Sequence, residues 1–228
     1  MLVTKKALAA ITVNRIRQAL DGPLPGVPGQ LKMAPEPIDT SVSRWDKPDD
    51  CREASVLLLF YPTIEHNQQP DFHLVLTRRP EYPGVHGGQI SLPGGQRENG
   101  EPLVDTALRE TNEEIGVVPE SLKVIGQLSS LYIPPSNYCI YPFVAFCPTR
   151  PIFIPDAVEV AEIIETPLSL LLDPAIQKSE LWHFELYGSR QIPFFEIFGH
   201  KVWGATAMIL SEFLTLLEEK ILTANPPQ

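Results

Sequence analysis

The chain has 228 residues, 43% of them hydrophobic, with 18 Lys and Arg set against 28 Asp and Glu for a formal net charge of −10. That length and apolar content suffice for one domain with a sizeable core and argue against two independent domains. The acidic balance excludes a general nucleic-acid backbone binder, which needs clustered Lys and Arg, so an anionic partner must be met by a metal ion and a few local cations.

In chain order, the first expected element is an amphipathic helix over about residues 4–20. It contains Asn14, Arg15, Arg17 and Gln18 and offers neither a long apolar core nor a small-residue cleavage site, so it reads as neither a signal peptide nor a membrane span. Proline then recurs as far as Pro48, which predicts an arm without regular elements. Residues 1–50 are therefore read as an N-terminal helix and proline-rich arm packed on a domain spanning 51–228. Apolar runs at 54–61 and 73–77, separated by a polar Gln68-Gln69-Pro70 turn, predict two strands of a buried sheet.

A glycine-rich loop and an acidic helix follow. Beyond them, strands are expected at 123–131, 138–146 and 159–165, a short helix at 168–172 and a closing helix at 202–219, with Trp203 assigned to the core. Strands, a central helix, more strands and a terminal helix suggest a layered, mixed α/β domain. Cys51, Cys139 and Cys147 are odd in number and form no close pair in sequence. They predict neither a disulfide framework nor a structural zinc site, and a reducing cytoplasm fits them best.

The segment with the most chemistry runs from Gly95 to Val117. Pro102 can open a helix, Asp105 suits its positive N-terminal end, and Gly116 can close it in a left-handed conformation. Glu110, Glu113 and Glu114 stand at i, i+3 and i+4 and are expected to share one patch, where like charges repel unless a cation joins them. Carboxylate oxygens are the ligands that Mg2+ and Mn2+ prefer, and Mg2+ takes substrate phosphate oxygens as further ligands. Arg109 is placed to orient a carboxylate by a forked hydrogen-bond pair, with Glu101 as its candidate partner.

Gly95, Glu101, Arg109, Glu110, Glu113, Glu114 and Gly116 together would coincide by chance in fewer than about one such chain in a million, at roughly 7% usage for each residue. Their spacing resembles the Nudix box: Gly, five residues, Glu, seven residues, Arg-Glu, an aliphatic position, any residue, Glu-Glu, any residue, Gly, aliphatic. The one departure is Thr111 at the aliphatic position, where a hydroxyl bonded to the preceding turn would let it face the core. The resemblance implies the Nudix fold, an α/β/α sandwich around a mixed sheet, and a pyrophosphatase dependent on Mg2+ or Mn2+. Its metal ligands would be the Gly95 carbonyl with Glu110, Glu113 and Glu114, and Glu159 is read as a distal carboxylate reaching the metals.

The stretch before the box, from Leu76 to Gly95, resembles the signature of Nudix coenzyme A pyrophosphatases. Leu76, Thr77, Arg79, His86, Gly88, Gln89, Ile90, Pro93, Gly94 and Gly95 match it. Pro80, Gly84 and Leu92 depart from it, Gly84 standing where the signature has an arginine able to contact a phosphate. The resemblance implies Arg79, His86, Gln89 and Gly94 as substrate contacts. It also implies coenzyme A or an acyl derivative as substrate, cut to 3′,5′-ADP and 4′-phosphopantetheine or its acyl form. The departures keep open a dinucleotide or nucleotide sugar, and a nucleotide-metabolite sensor without catalysis is the reading from another class. No nucleic acid or membrane partner is expected, and a homodimer is implied only at the level of the family.

Overall fold

The computed structural model describes residues 8–36, 47–63, 71–82, 87–185 and 188–223. Its centre is β1 (Arg52–Thr63), a twelve-residue strand buried on both faces, which requires a near-continuous apolar run. β1 pairs in parallel with β7 (Tyr138–Phe146) and antiparallel with β2 (Asp71–Arg78) and the short β4 (Gly94–Gln96). β3 (Ile90–Ser91) and β8 (Glu162–Pro167) pair with β2, β5 (Lys123–Gln127) and β6 (Leu131–Ile133) pair with β7, and the short helix α4 (Leu168–Leu171) follows β8.

Alternation along β1 divides the core into two layers. Leu57, Leu59 and Tyr61 pack with Ala107 and Ile115 of the acidic helix α3 (Leu103–Ile115). Leu58 and Phe60 face the opposite layer, where Phe60 stacks on Phe213 of the closing helix α5 (Gly204–Leu217) with ring centroids 5.0 Å apart. Helix, mixed sheet and helix thus form the expected α/β/α sandwich.

The N-terminal region differs in detail from the sequence expectation. Of the helix expected over 4–20, residues 4–7 lie outside the described residues, Leu8 and Ala9 are helical, and after a break at 10–12 the helix resumes as α1 (Val13–Leu20), where the Thr12 hydroxyl accepts the N–H of Arg15; a second short helix, α2 (Val27–Leu31), interrupts the proline-rich arm. Its fixed proline φ angle suits a helix's first turn, which the sequence reading had treated as a barrier. Ile11, Ile16, Leu20, Met33 and Ala34 enter the α5-side core. The buried Glu212 ties the arm down by accepting the N–H of Gly26 at 3.2 Å and Gln30 Nε2 at 2.8 Å.

The single strand expected at 123–131 is two, β5 and β6. The strand expected from 159 begins at Glu162, which leaves Glu159 in the preceding turn. A three-stranded antiparallel sheet of β9 (Gln177–Phe184), β10 (Gly188–Ile197) and β11 (His200–Val202) was not expected at all, because β9 is mostly exposed and polar and lacks a buried face to pattern it. Trp203 is not in the core. It is half-buried against Trp182 and Phe184, with centroids 5.0 and 6.4 Å away.

The cysteine reading is also corrected: Cys51 and Cys139 form a disulfide across the β1/β7 pairing, and Cys147 is free and buried. The two lie 88 residues apart in sequence, so only strand register brings them together. The cysteine argument for a reducing compartment therefore fails. The expected turn at Gln68-Gln69-Pro70 lies outside the described residues. Among the described residues, no helix is long and apolar enough to cross a membrane.

Candidate functional site

α3 starts at its N-cap Pro102 and stops at Gly116, whose φ of 72° is the left-handed conformation glycine adopts without strain. Thr111 is fully buried and donates its hydroxyl to the Ala107 carbonyl at 2.7 Å, which reconciles a polar residue with the aliphatic position. The helix lies beside β4, where Gly94 and Gly95 stand opposite Val56 and Ser55 of β1.

Both glycines are required by close approach. A Cβ on Gly95 would lie 2.4 Å from the Glu110 carboxyl, and one on Gly94, at φ 148°, would lie 2.3 Å from the Ser55 carbonyl oxygen. The Gly94 N–H also donates to Glu114 Oε2 at 3.2 Å. The box glycines therefore hold two acids against the strand.

The three helix acids do not share one patch equally. Glu114 is only 4% exposed and Glu110 is turned toward Gly95, while the Glu113 side chain is 55% exposed. Arg109 organises them. Its Nε and Nη2 fork onto the two oxygens of Glu101 at 2.9 and 3.1 Å, and its Nη1 bridges Glu110 and Glu113 at 2.9 and 2.8 Å. This is the forked pair expected from sequence, extended to two further carboxylates.

The electrostatics follow from burial. Burial pushes Glu114 up to about 7, against the Gly94 N–H and the Arg79 guanidinium, which favour its charged form, and with Glu110 and Glu159 adding to the rise. Burial likewise raises Glu110, with Glu113 and Glu159 adding to the effect and Arg109 opposing it. Glu101 goes the other way, to about 2, chiefly because Arg109 hydrogen-bonds its charged form.

Glu159, though exposed, acts on both buried acids because its turn is pinned to the end of α3: Asp156 N–H donates to the Glu114 carbonyl at 2.9 Å. Glu162 and Glu165 are committed elsewhere, to Arg78 at 2.9 Å and to Arg150 at 2.6 Å. Arg79 directly follows β2 and donates its N–H to the Gln89 carbonyl at 3.0 Å, and its guanidinium is near enough to Glu114 to favour that acid's charged form. His86 and Gly84 lie outside the described residues.

As placed, no three described His, Cys, Asp or Glu side chains converge closely enough to enclose an ion, and Arg109 bridges two of the acids instead. The donor chemistry nevertheless fits a hard divalent cation. All the donors are oxygens, two acids are held in burial that opposes their charge, and Gly95 keeps clear the space its Cβ would fill.

Sequence reasoning missed the polar rim beside β4. Tyr138 donates its hydroxyl to Gln96 Oε1 at 2.8 Å, and Glu53 joins Arg97 to Tyr141. These contacts depend on the β1/β7 register, so no local motif announces them.

The NUDIX domain family model matches residues 63–182. An uncharacterized Nudix hydrolase, NudL, from Photorhabdus laumondii is 32% identical over 187 residues, covering 80% of this chain and 90% of that protein. Nudix hydrolase 3 of Caenorhabditis elegans is 27% identical, covering 75% of this chain and 76% of that protein. Among solved structures, a MutT/nudix family protein from Enterococcus faecalis matches with a TM-score of 0.47 at 20% identity, over 77% of this chain and 62% of that one.

Proposed function

The chain belongs to the Nudix hydrolase family, and from that premise we propose that it is a metal-dependent pyrophosphatase whose substrate is coenzyme A or an acyl-coenzyme A. Hydrolysis would give 3′,5′-ADP and 4′-phosphopantetheine or its acyl form. The observation that carries the reading is the pair of acids, the buried Glu114 and the part-buried Glu110, held against Gly94 and Gly95 with Arg79 alongside. The residues at 76–95 that resemble the coenzyme A signature supply the substrate class.

In this reading Glu110, Glu114 and the Gly95 carbonyl hold Mg2+ or Mn2+, and Glu159 reaches it from the neighbouring turn. A bound divalent cation would polarise a phosphate oxygen and make a bound water more acidic. The protein's own groups do the positioning. Glu101 locks Arg109, and Arg109 sets the directions of Glu110 and Glu113. Glu113, the most exposed of the three, completes the ligand set or takes the proton of the attacking water. Arg79, Gln89, Gly94 and His86 would meet the substrate's phosphates, in a protein whose overall charge repels them.

Gly84 in place of the signature arginine supports a second substrate reading, a dinucleotide or nucleotide sugar. The test is to incubate purified protein with coenzyme A and Mg2+ or Mn2+, with a chelated control, beside NADH, ADP-ribose and 8-oxo-dGTP, and to identify products by mass spectrometry. Metal-dependent 3′,5′-ADP with phosphopantetheine supports the proposal. Cleavage of another compound alone moves the substrate, and cleavage of none, with binding retained, makes the protein a sensor.

A further inference from the structure

Ser55 is fully buried in β1, and its hydroxyl has no hydrogen-bond partner. A buried hydroxyl left unpaired is costly, and in a folded protein it points to a water or ion that completes it. Its position shows where that completion lies. Ser55 belongs to the β1 face of Leu57, Leu59 and Tyr61, which packs on α3. Directly across the ladder stands Gly95, and side chains of directly paired residues project from the same face.

The point where a Gly95 Cβ would sit is 2.4 Å from the Glu110 carboxyl. Paired Cβ positions are about 5 Å apart, so the Ser55 hydroxyl lies within about one water molecule of Glu110. The site is polar, and a single water there would have several partners. On the other flank Ser55 pairs with Tyr141, whose hydroxyl donates to Glu53 and not to Ser55.

We infer that Ser55 is a positioning residue of the cation site, its hydroxyl gaining Glu110 and a water of the ion's shell as partners only when the ion is bound. The inference rests on the metal reading given above. Mg2+ keeps several of its waters when bound to carboxylates, and those waters need acceptors. Ser55 would be the acceptor on the strand side, where the Gly95 backbone offers no side chain.

The experiment compares the wild-type chain with Ser55→Ala, which removes the hydroxyl, and Ser55→Cys, which keeps its size with a much weaker hydrogen-bonding group. Two readouts need no turnover: Mn2+ affinity by calorimetry without substrate, and the urea midpoint of chelated protein. Chelated Ser55→Ala is expected to be at least as stable as wild type, since the group removed was unpaired. Its Mn2+ affinity is expected to fall about tenfold, the usual effect of losing an outer-shell partner, with Ser55→Cys falling similarly. Unchanged Mn2+ affinity in both variants would overturn the inference while leaving the metal reading intact. A clear loss of stability in chelated Ser55→Ala would also overturn it, because the hydroxyl would then be partnered within the protein. Failure of the wild type to bind Mn2+ would overturn the metal reading and the inference with it.

Discussion

The adjacent glycines Gly94 and Gly95 allow one substitution to have two different consequences. In Gly95→Ala the new methyl meets first the Glu110 carboxyl, at 2.4 Å, the far end of a flexible side chain. Ordinary carbon contacts begin near 3.5 Å, so the carboxylate must swing away by about 1 Å. The fold keeps the Arg109 bonds to Glu101 and Glu113 and loses at most the one to Glu110. A charged hydrogen bond contributes about 1.5 to 3 kcal/mol, and releasing a carboxylate from burial offsets part of that. The expected cost is within about 2 kcal/mol, or roughly 8 °C in melting temperature for a chain of this size. A 1 Å misplacement of a ligand in a reacting geometry costs about 100-fold, so turnover should fall by at least that factor, with Mn2+ affinity falling as well. In Gly94→Ala the methyl meets backbone instead, Ser55 O at 2.3 Å and Val56 Cα at 2.6 Å, at a φ of 148°. The strand pair itself must separate, and a loss above about 4 kcal/mol is expected. Urea unfolding and Mn2+ calorimetry on both variants decide the matter. Gly95→Ala that unfolds as readily as Gly94→Ala, or that binds Mn2+ like wild type, would refute the reasoning.

Three further outcomes are expected. Glu101 is held at about 2, below its ordinary 4.5, so its stabilisation is complete above about pH 4.5 and is lost as pH falls toward 2; the gap in urea midpoint between wild type and Glu101→Gln should shrink over that range. Glu114 has the opposite sign. With its pKa raised to about 7, chelated protein loses stability as pH rises from about 4.5 through 7; Glu114→Gln should remove that loss while abolishing Mn2+ binding, and Mn2+ should stabilise the wild type most above pH 7. Opening the Cys51–Cys139 bridge, which closes a separation of 88 residues, should cost up to about 4.6 kcal/mol on a chain-entropy estimate, and thiol counting under denaturing, non-reducing conditions should find Cys147 alone.

The site was legible in the sequence where chemistry is local. A helix fixes the directions of Arg109, Glu110, Glu113 and Glu114 by spacing alone, and Pro102 and Gly116 mark its ends, so the Arg109–Glu101 fork and the Thr111 back-bond were both foreseeable. Spacing could not show that Glu113 turns outward while Glu114 is buried, because that depends on where β4 lies against the helix. Ser55, the Glu53–Arg97–Tyr141 rim and the Cys51–Cys139 bridge depend on strand register, which joins residues about 40 to 90 positions apart without any local signature. The β9–β10–β11 sheet was hidden in part for a related reason: β9 is exposed along most of its length and is held by pairing with β10, whose Ile192, Phe194, Phe195 and Ile197 are buried.

The charge balance of the site is itself an argument for a cation. Glu101, Glu110, Glu113, Glu114 and Glu159 gather near the guanidiniums of Arg109 and Arg79, and Arg109 is already shared among three of the five acids. A helix selected for stability alone would not bury Glu110 and Glu114 against one another, because like charges at helical spacing oppose folding and burial adds to the cost. Nor does the interior need these acids as hydrogen-bond acceptors, since Gly94 supplies Glu114 with a single long bond and Gly95 gives Glu110 only space. What the arrangement provides is a graded set of oxygen donors, from the buried Glu114 to the exposed Glu113 and Glu159, with a strand hydroxyl and a bare glycine on the strand beside them. A divalent ion relieves that repulsion, and a phosphate chain can then approach a protein whose net charge is −10.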